Sequence, residues 1–170
     1  AKENNSNALY HLGYLYLNGL SVEKNYLKAK KYFELAAEQN NSDALVYLGH
    51  LYENGLGVEK NYSKAKEYYE LATQNKNSKA FYLLGTLYKD GYGVEQNYLK
   101  AKECFNLSSQ EGDSFSFCAL GEIYYFGEGV EKDYKKAKYY YEIAANMGDP
   151  EACFTLGTLY NNGLGVEKDY

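Results

Sequence analysis

Between residues 42 and 54 the side chains Ala44, Leu45, Leu48, Leu51 and Tyr52, with Gly49 among them, recur at intervals of three and four. That spacing keeps one face of an α-helix apolar, and Gly55 stands just past the run, where a left-handed residue ends a helix. A loop reading Gly55-Leu56-Gly57-Val58 follows, after which Asn61 offers an N-cap. Tyr62, Ala65, Tyr68, Tyr69, Leu71 and Ala72 then repeat the helical period to near Asn75. The pattern predicts a helix A from Ser42 to Asn54 and a helix B after Asn61.

The same pattern returns along the chain. Gly13, Gly49, Gly85, Gly121 and Gly157 each stand 36 residues after the last, and the step also carries Leu12, Tyr16 and Gly19 onto matching residues. Periods of this size mark stacked supersecondary units. The expected units are 5–40, 41–76, 77–112, 113–148 and a cut unit 149–170, about four and a half repeats forming one domain over 1–170. Asn5, Asn41, Asn77, Asp113 and Asp149 are the expected N-caps of the A helices, with Pro150 at a first helical position that needs no N–H. Asn25, Asn97, Asp133 and Asp169 fill that role for the other B helices, and Asn40, Gly112 and Gly148 take left-handed positions at B-helix ends. Gly13 and its equivalents cost helix stability, and close approach of the B-helix alanines Ala29, Ala65, Ala101 and Ala137 is the expected compensation. The cut fifth unit is expected to leave Leu156, Leu159 and Tyr160 partly uncovered, for a longer parent chain or another copy to cover.

Ala-x-x-x-Leu-Gly-x-x-Tyr, then Gly-x-Gly-Val, then Asn or Asp followed by Tyr-x-Lys-Ala and Tyr-Tyr or Tyr-Phe, resembles the Sel-one-like repeat, a branch of the tetratricopeptide superfamily. The ordinary tetratricopeptide unit has 34 residues, and the additional two fall in the loop at Gly55-Leu56-Gly57-Val58. The resemblance implies an all-α, right-handed α-solenoid of antiparallel helix-turn-helix repeats whose A helices line a concave groove. It also implies an adaptor role, as in protein quality control, signalling or bacterial contact with host cells. Some positions depart from the pattern: Ser21 replaces a loop glycine, predicting a looser first loop, and Cys104, Ser108, Ser109 and Ser116 predict loose packing at one junction. A cysteine-rich branch of the family pins its repeats with disulfides, but Ala37, Thr73, Ser109 and Ala145 stand where those cysteines belong.

Composition narrows the partner. The chain has 22 Tyr and 7 Phe but no Trp, so most of its large apolar side chains carry a polar tip. Its net charge is −5, every basic residue is lysine, and the two signs are interspersed. A nucleic-acid reader needs a basic stripe, usually with arginine, so no nucleic acid is expected. No run of 18 or more apolar residues occurs, so no membrane span is expected. Cys104, Cys118 and Cys153 match no metal spacing and read as free thiols.

Catalytic signals are thin. Ser63-Lys64-Ala65-Lys66 and Ser21-Val22-Glu23-Lys24 fit the Ser-x-x-Lys pattern of acyl-serine enzymes, whose nucleophile needs a lysine one helical turn away. Lys66 nevertheless recurs as Lys30, Lys102 and Lys138 with no matching serine, which is the pattern of a solvated helix face. His11 and His50 stand on neighbouring A helices, where Asp43 and Glu53 are further potential ligands, but no metal-binding spacing supports them. The reading is a non-enzyme with no cofactor and no metal; a β-lactam or other acyl-serine hydrolase is the remote alternative.

Recurring positions build the scaffold, so positions that vary between repeats mark the binding face. They are Asn7, Tyr10, Tyr14, Leu17 and Asn18 in the first unit, and Asp43, Val46, His50, Glu53 and Asn54 in the second. Lys79, Tyr82, Thr86, Lys89 and Asp90 follow in the third, Phe115, Cys118, Glu122, Tyr125 and Phe126 in the fourth, and Phe154 in the fifth. By the resemblance these residues face the groove. The function expected is a protein-interaction scaffold that holds a partner protein or peptide, anchored at Phe115, Tyr125, Phe126 and Phe154. Tyr10, Tyr14 and Tyr82 are expected to set orientation, and Glu53 and Lys89 to tune the on-rate. End-to-end self-association through the cut repeat is the alternative.

Overall fold

The computed structural model describes residues 2–165. Nine α-helices and no strand occur among the described residues: α1 (Lys2–Asn18), α2 (Tyr26–Ala37), α3 (Ser42–Asn54), α4 (Tyr62–Thr73), α5 (Ser78–Asp90), α6 (Tyr98–Gln110), α7 (Ser114–Phe126), α8 (Tyr134–Asn146) and α9 (Pro150–Asn161). Odd-numbered helices are the A helices and even-numbered ones the B helices. The fifth B helix expected to start at Asp169 lies outside the described residues. Two compact units divide the chain, one made of the residues up to Ala80 with Tyr92–Val94, the other of Phe81–Gly91 with the residues from Glu95 onward.

Each described B helix starts on a capping side chain. Asn25, Asn61, Asn97 and Asp133 have extended backbones, and their side chains accept the N–H groups of Lys28, Lys64, Lys100 and Lys136 at 2.9–3.0 Å. Each such cap is worth about 1 kcal/mol. The expected A-helix caps hold at Asn41, Asn77, Asp113 and Asp149. Asn5 does not cap, because α1 already begins at Lys2 and places Asn5 inside the helix.

The mid-helix glycines do mark close approach, but the group they admit is an aromatic ring and not an alanine. A methyl added at Gly13 would lie 2.6 Å from the Phe33 ring, at Gly85 2.6 Å from Phe105, and at Gly121 2.8 Å from Tyr141; at Gly49 it would overlap Tyr69. Those four rings are buried within their repeats. Ala29, Ala65, Ala101 and Ala137 are also fully buried, one helical turn earlier on the same B helices. In the first unit the core around them joins Leu17, Phe33, Ala36, Ala44, Leu48 and Leu51. In the second, Phe105, Leu120 and Ile123 form one cluster, and Cys118, Tyr141, Ala144, Ala152 and Leu159 another.

The second loop glycine has a different task. Gly57 and Gly93 have φ of +69°, Gly129 of +67°, and each presses on the first residue of the preceding B helix. A methyl at these sites would come within 2.5–2.7 Å of the Cβ of Tyr26, Tyr62 or Tyr98. Ser21 adopts the same left-handed conformation, with φ of 60°, and is exposed. Its loop is no looser than the others: the closing bond from Asn25 N–H to the Tyr16 carbonyl is 2.8 Å, as is the equivalent bond from Asn61 to Tyr52.

The serine-rich junction is packed as well. Ser108 and Ser116 are fully buried, and the Asp113 carboxylate accepts both hydroxyls, at 3.3 and 2.6 Å, as well as the Ser116 N–H. A polar cluster replaces the alanine contacts of the other repeats. Leu159, expected to be partly uncovered, is buried against the α8 residues of its cluster, whereas Leu156 is half-buried and Tyr160 exposed.

Candidate functional site

In the first unit the varying A-helix positions converge on a residue the repeat pattern did not single out. The Tyr47 ring lies 5.6 Å from Tyr10, 5.8 Å from Tyr14 and 6.4 Å from His50, with the Lys79 ammonium over its face at 5.2 Å. Tyr47 shares its register with His11, Leu83, Ala119 and Thr155. That variability was the available signal for including it. Tyr14 is exposed, while burial raises the pKa values of the Tyr10 and Tyr47 hydroxyls.

His50 sits half-buried at the edge of this cluster, its Nδ1 enclosed and without a hydrogen-bond partner. Burial holds its imidazole below the usual range; the Lys79 charge acts in the same direction and Glu53 opposes it. Glu53 in turn accepts the Tyr69 hydroxyl at 2.6 Å, tying α3 to α4. His11 is exposed, its ring 5.1 Å from that of Tyr10. Val46 and Leu17, expected on the binding face, are buried.

In the second unit α5, α7 and the start of α9 surround a small cavity. Tyr82 packs between Phe105 and Phe115, at 5.7 and 6.0 Å between ring centres. The Thr86 hydroxyl donates to the Tyr82 carbonyl, and Lys89 Nζ meets Glu122 Oε2 at 2.8 Å. Burial works most strongly against the Lys89 charge, but its bond to Glu122 together with the charges of Glu122, Asp90 and Glu128 leaves the ammonium above its ordinary value. Cys118, expected to be presented on the surface, is buried at the cavity floor.

The other expected aromatics do not form one cluster with Phe115. Eleven residues separate it from Phe126, or about 16 Å along a helix. Phe126 stands edge-on to Tyr125 at 4.9 Å, and Tyr125 contacts Tyr134 at 5.4 Å. Phe154 projects from α9. The exposed fractions are 58% for Phe115 and 60% for Phe126, so neither of these rings fills the core.

Elsewhere, Ser63 is exposed, and the Lys66 ammonium pairs with Glu70 at 2.8 Å, one turn onward from it and away from Ser63. Cys118 is a buried free thiol and Cys153 an exposed one, and the Cys104 side chain is buried as well. No helix among the described residues is long and apolar enough to cross a membrane.

A chain of paired helices with a fixed glycine-to-aromatic seat and a varying A-helix face is a helical-repeat protein of the α-solenoid class. It belongs to the Sel1 repeat family, whose repeat matches residues 6–41, 42–77, 78–113, 118–149 and 150–170. Members of this family generally act as protein-interaction scaffolds. A Sel1 repeat protein from Oxalobacter formigenes is 35% identical, with a TM-score of 0.89 over 98% of this chain. The c5321 protein, a protective antigen of uropathogenic Escherichia coli strains with the same repeat fold, is 34% identical, with a TM-score of 0.88 over 95% of this chain. This chain spans 66% of the first of these structures and 35% of the second. Helicobacter pylori cysteine rich protein B is more distant, at 26% identity and a TM-score of 0.55, covering 68% of this chain and 94% of its own. No curated protein matches the sequence.

Proposed function

We propose that this chain is a non-catalytic scaffold that holds a segment of a partner protein against its A-helix faces, with the main anchor on α7 and α9. One observation carries the reading: Phe115 and Phe126 are more than half exposed on α7, a helix that buries Ser116, Leu120 and Ile123. Large rings held in water gain about 25 cal/mol per Å² when a partner covers them, and aromatic side chains are the usual centres of interface energy. Tyr10, Tyr14, His50 and Glu53 offer a second set of contacts on the A helices of the first unit. Tyr82 and Tyr14 each combine an apolar face with a hydroxyl that can fix the orientation of a backbone.

A photo-reactive phenylalanine analogue at position 154 tests the reading, with the same group at Lys100, exposed on a B helix, as control. The expected result is a cross-link to a partner protein from position 154 and none from position 100. Equal labelling from both positions would overturn the assignment of the face. A cross-link to a second copy of this chain would favour end-to-end assembly.

A further inference from the structure

We infer that the cavity between α5, α7 and the start of α9 receives one basic side chain, an arginine or a lysine, of a partner polypeptide. This rests on the scaffold reading and names the chemistry of what the scaffold holds. The cavity measures about 90 Å³, roughly three times the share of one water molecule in the liquid. That is room for one head group and its last methylene groups, and too little for a cofactor.

Its charge selects the head group. Glu122, Asp149 and Glu151 line the cavity against a single ammonium, Lys89, and Lys89 is engaged by Glu122 at 2.8 Å. Among the described residues no lysine pairs with Asp149 or Glu151. Asp149 is only 5% exposed. Its Oδ1 accepts the N–H groups of Glu151 and Ala152 at 3.0 and 2.9 Å, and no protein hydrogen bond reaches its other oxygen. A carboxylate so far withdrawn from water gains from a bound cation and loses from an apolar cover. The Cys118 thiol reports the same field: burial first, then the charges of Asp149, Glu122 and Glu151, push it up to about 12.

The walls suit the same ligand. Tyr82 and Phe115 present two rings inclined at 45°, and Phe115 remains mostly in solvent. A cation is attracted to a ring face within about 6 Å, and this chain already places Lys100 over Tyr88 and Lys136 over Tyr124, each at 5.2 Å. A guanidinium combines both contacts, because its plane lies on a ring while its N–H groups meet a carboxylate in pairs.

A random-peptide display library panned on the whole chain, followed by affinity measurements on the selected peptides, tests this inference. The expected peptides carry an arginine or lysine beside an apolar residue. Changing that residue to norleucine should weaken binding by about tenfold or more, as should the protein variant E122Q/E151Q, the loss expected for hydrogen bonds to a charged group. Lys89→Met gives the sign that a merely structural role would not: it frees Glu122 and should strengthen binding about two- to fivefold. Asp149 caps α9 and is left intact, and melting curves confirm that each variant folds. Peptides that lack a basic residue, or that ignore E122Q/E151Q while losing affinity in Phe154→Ala, would overturn the inference and leave the scaffold reading standing. If no peptide is selected at all, both fall.

Discussion

One register shows how much a single side chain decides. Tyr10, Val46, Tyr82, Cys118 and Phe154 occupy equivalent positions on successive A helices, yet Val46 and Cys118 are buried while Tyr10 and Tyr82 are only partly so. A short side chain at this position ends among the bases of its neighbours, whereas a ring reaches past them unless another ring meets it. The repeat pattern made the register legible. It did not reveal which members sink, because that depends on their size and on residues one repeat away. Tyr47 varies in its register as a binding position would, but only packing shows that Phe33, Tyr10, Tyr14, His50 and Lys79 converge on it. His50 beside it supplies a pH test. In the unfolded chain its imidazole titrates near 6.5. Burial lowers the folded value, so below pH 6.5 the unfolded state takes up the proton first, and stability is lost as pH falls through this range. His50→Gln should therefore lose less melting temperature than the wild type between about pH 7.5 and about pH 5.5, the range in which histidine changes charge. Equal losses in both proteins would contradict the burial of His50.

At the scale of elements, the helix pairs are set by glycine and an aromatic ring together. The glycines were visible in the sequence as a recurring helix-breaking residue, but their partners were misassigned to alanine, because both classes recur with the same step and spacing alone cannot say which faces the gap. The structure makes the distinction testable. Gly49→Ala gains up to about 1 kcal/mol of helix propensity but drives a methyl into the Tyr69 ring, and overpacking of that kind costs about 1–3 kcal/mol. Urea unfolding reads the sign: Gly49→Ala should be destabilised, and a stabilised Gly49→Ala would refute the seat. The loops and the serine-rich junction were read as weaker than they are. Ser21 tolerates a left-handed backbone at an exposed site, and Asp113 gathers the hydroxyls of Ser108 and Ser116. A single sequence shows such replacements as losses, because the compensating hydrogen bonds join residues that only the fold brings together.

Across the whole molecule the all-helical repeat and its period were legible, since a step of 36 residues recurs in core, loop and cap positions. The proposed binding face was legible only as the set of positions that do not recur. The anchors proposed for it separate into Phe115 with Tyr82, Tyr125 with Phe126, and Phe154, a division that periodicity does not encode. The central claim is that these rings serve a partner and not the core. Melting temperature and partner affinity, measured side by side on the double variant with Phe126→Ala and Phe154→Ala, test it most directly. Surface truncations change stability by about 0.5 kcal/mol or less each, while loss of an interface anchor costs about 2 kcal/mol or more. The account predicts a melting temperature close to wild type with binding reduced at least about thirtyfold. A collapsed melting temperature, or a fold and an affinity both unchanged, would contradict it.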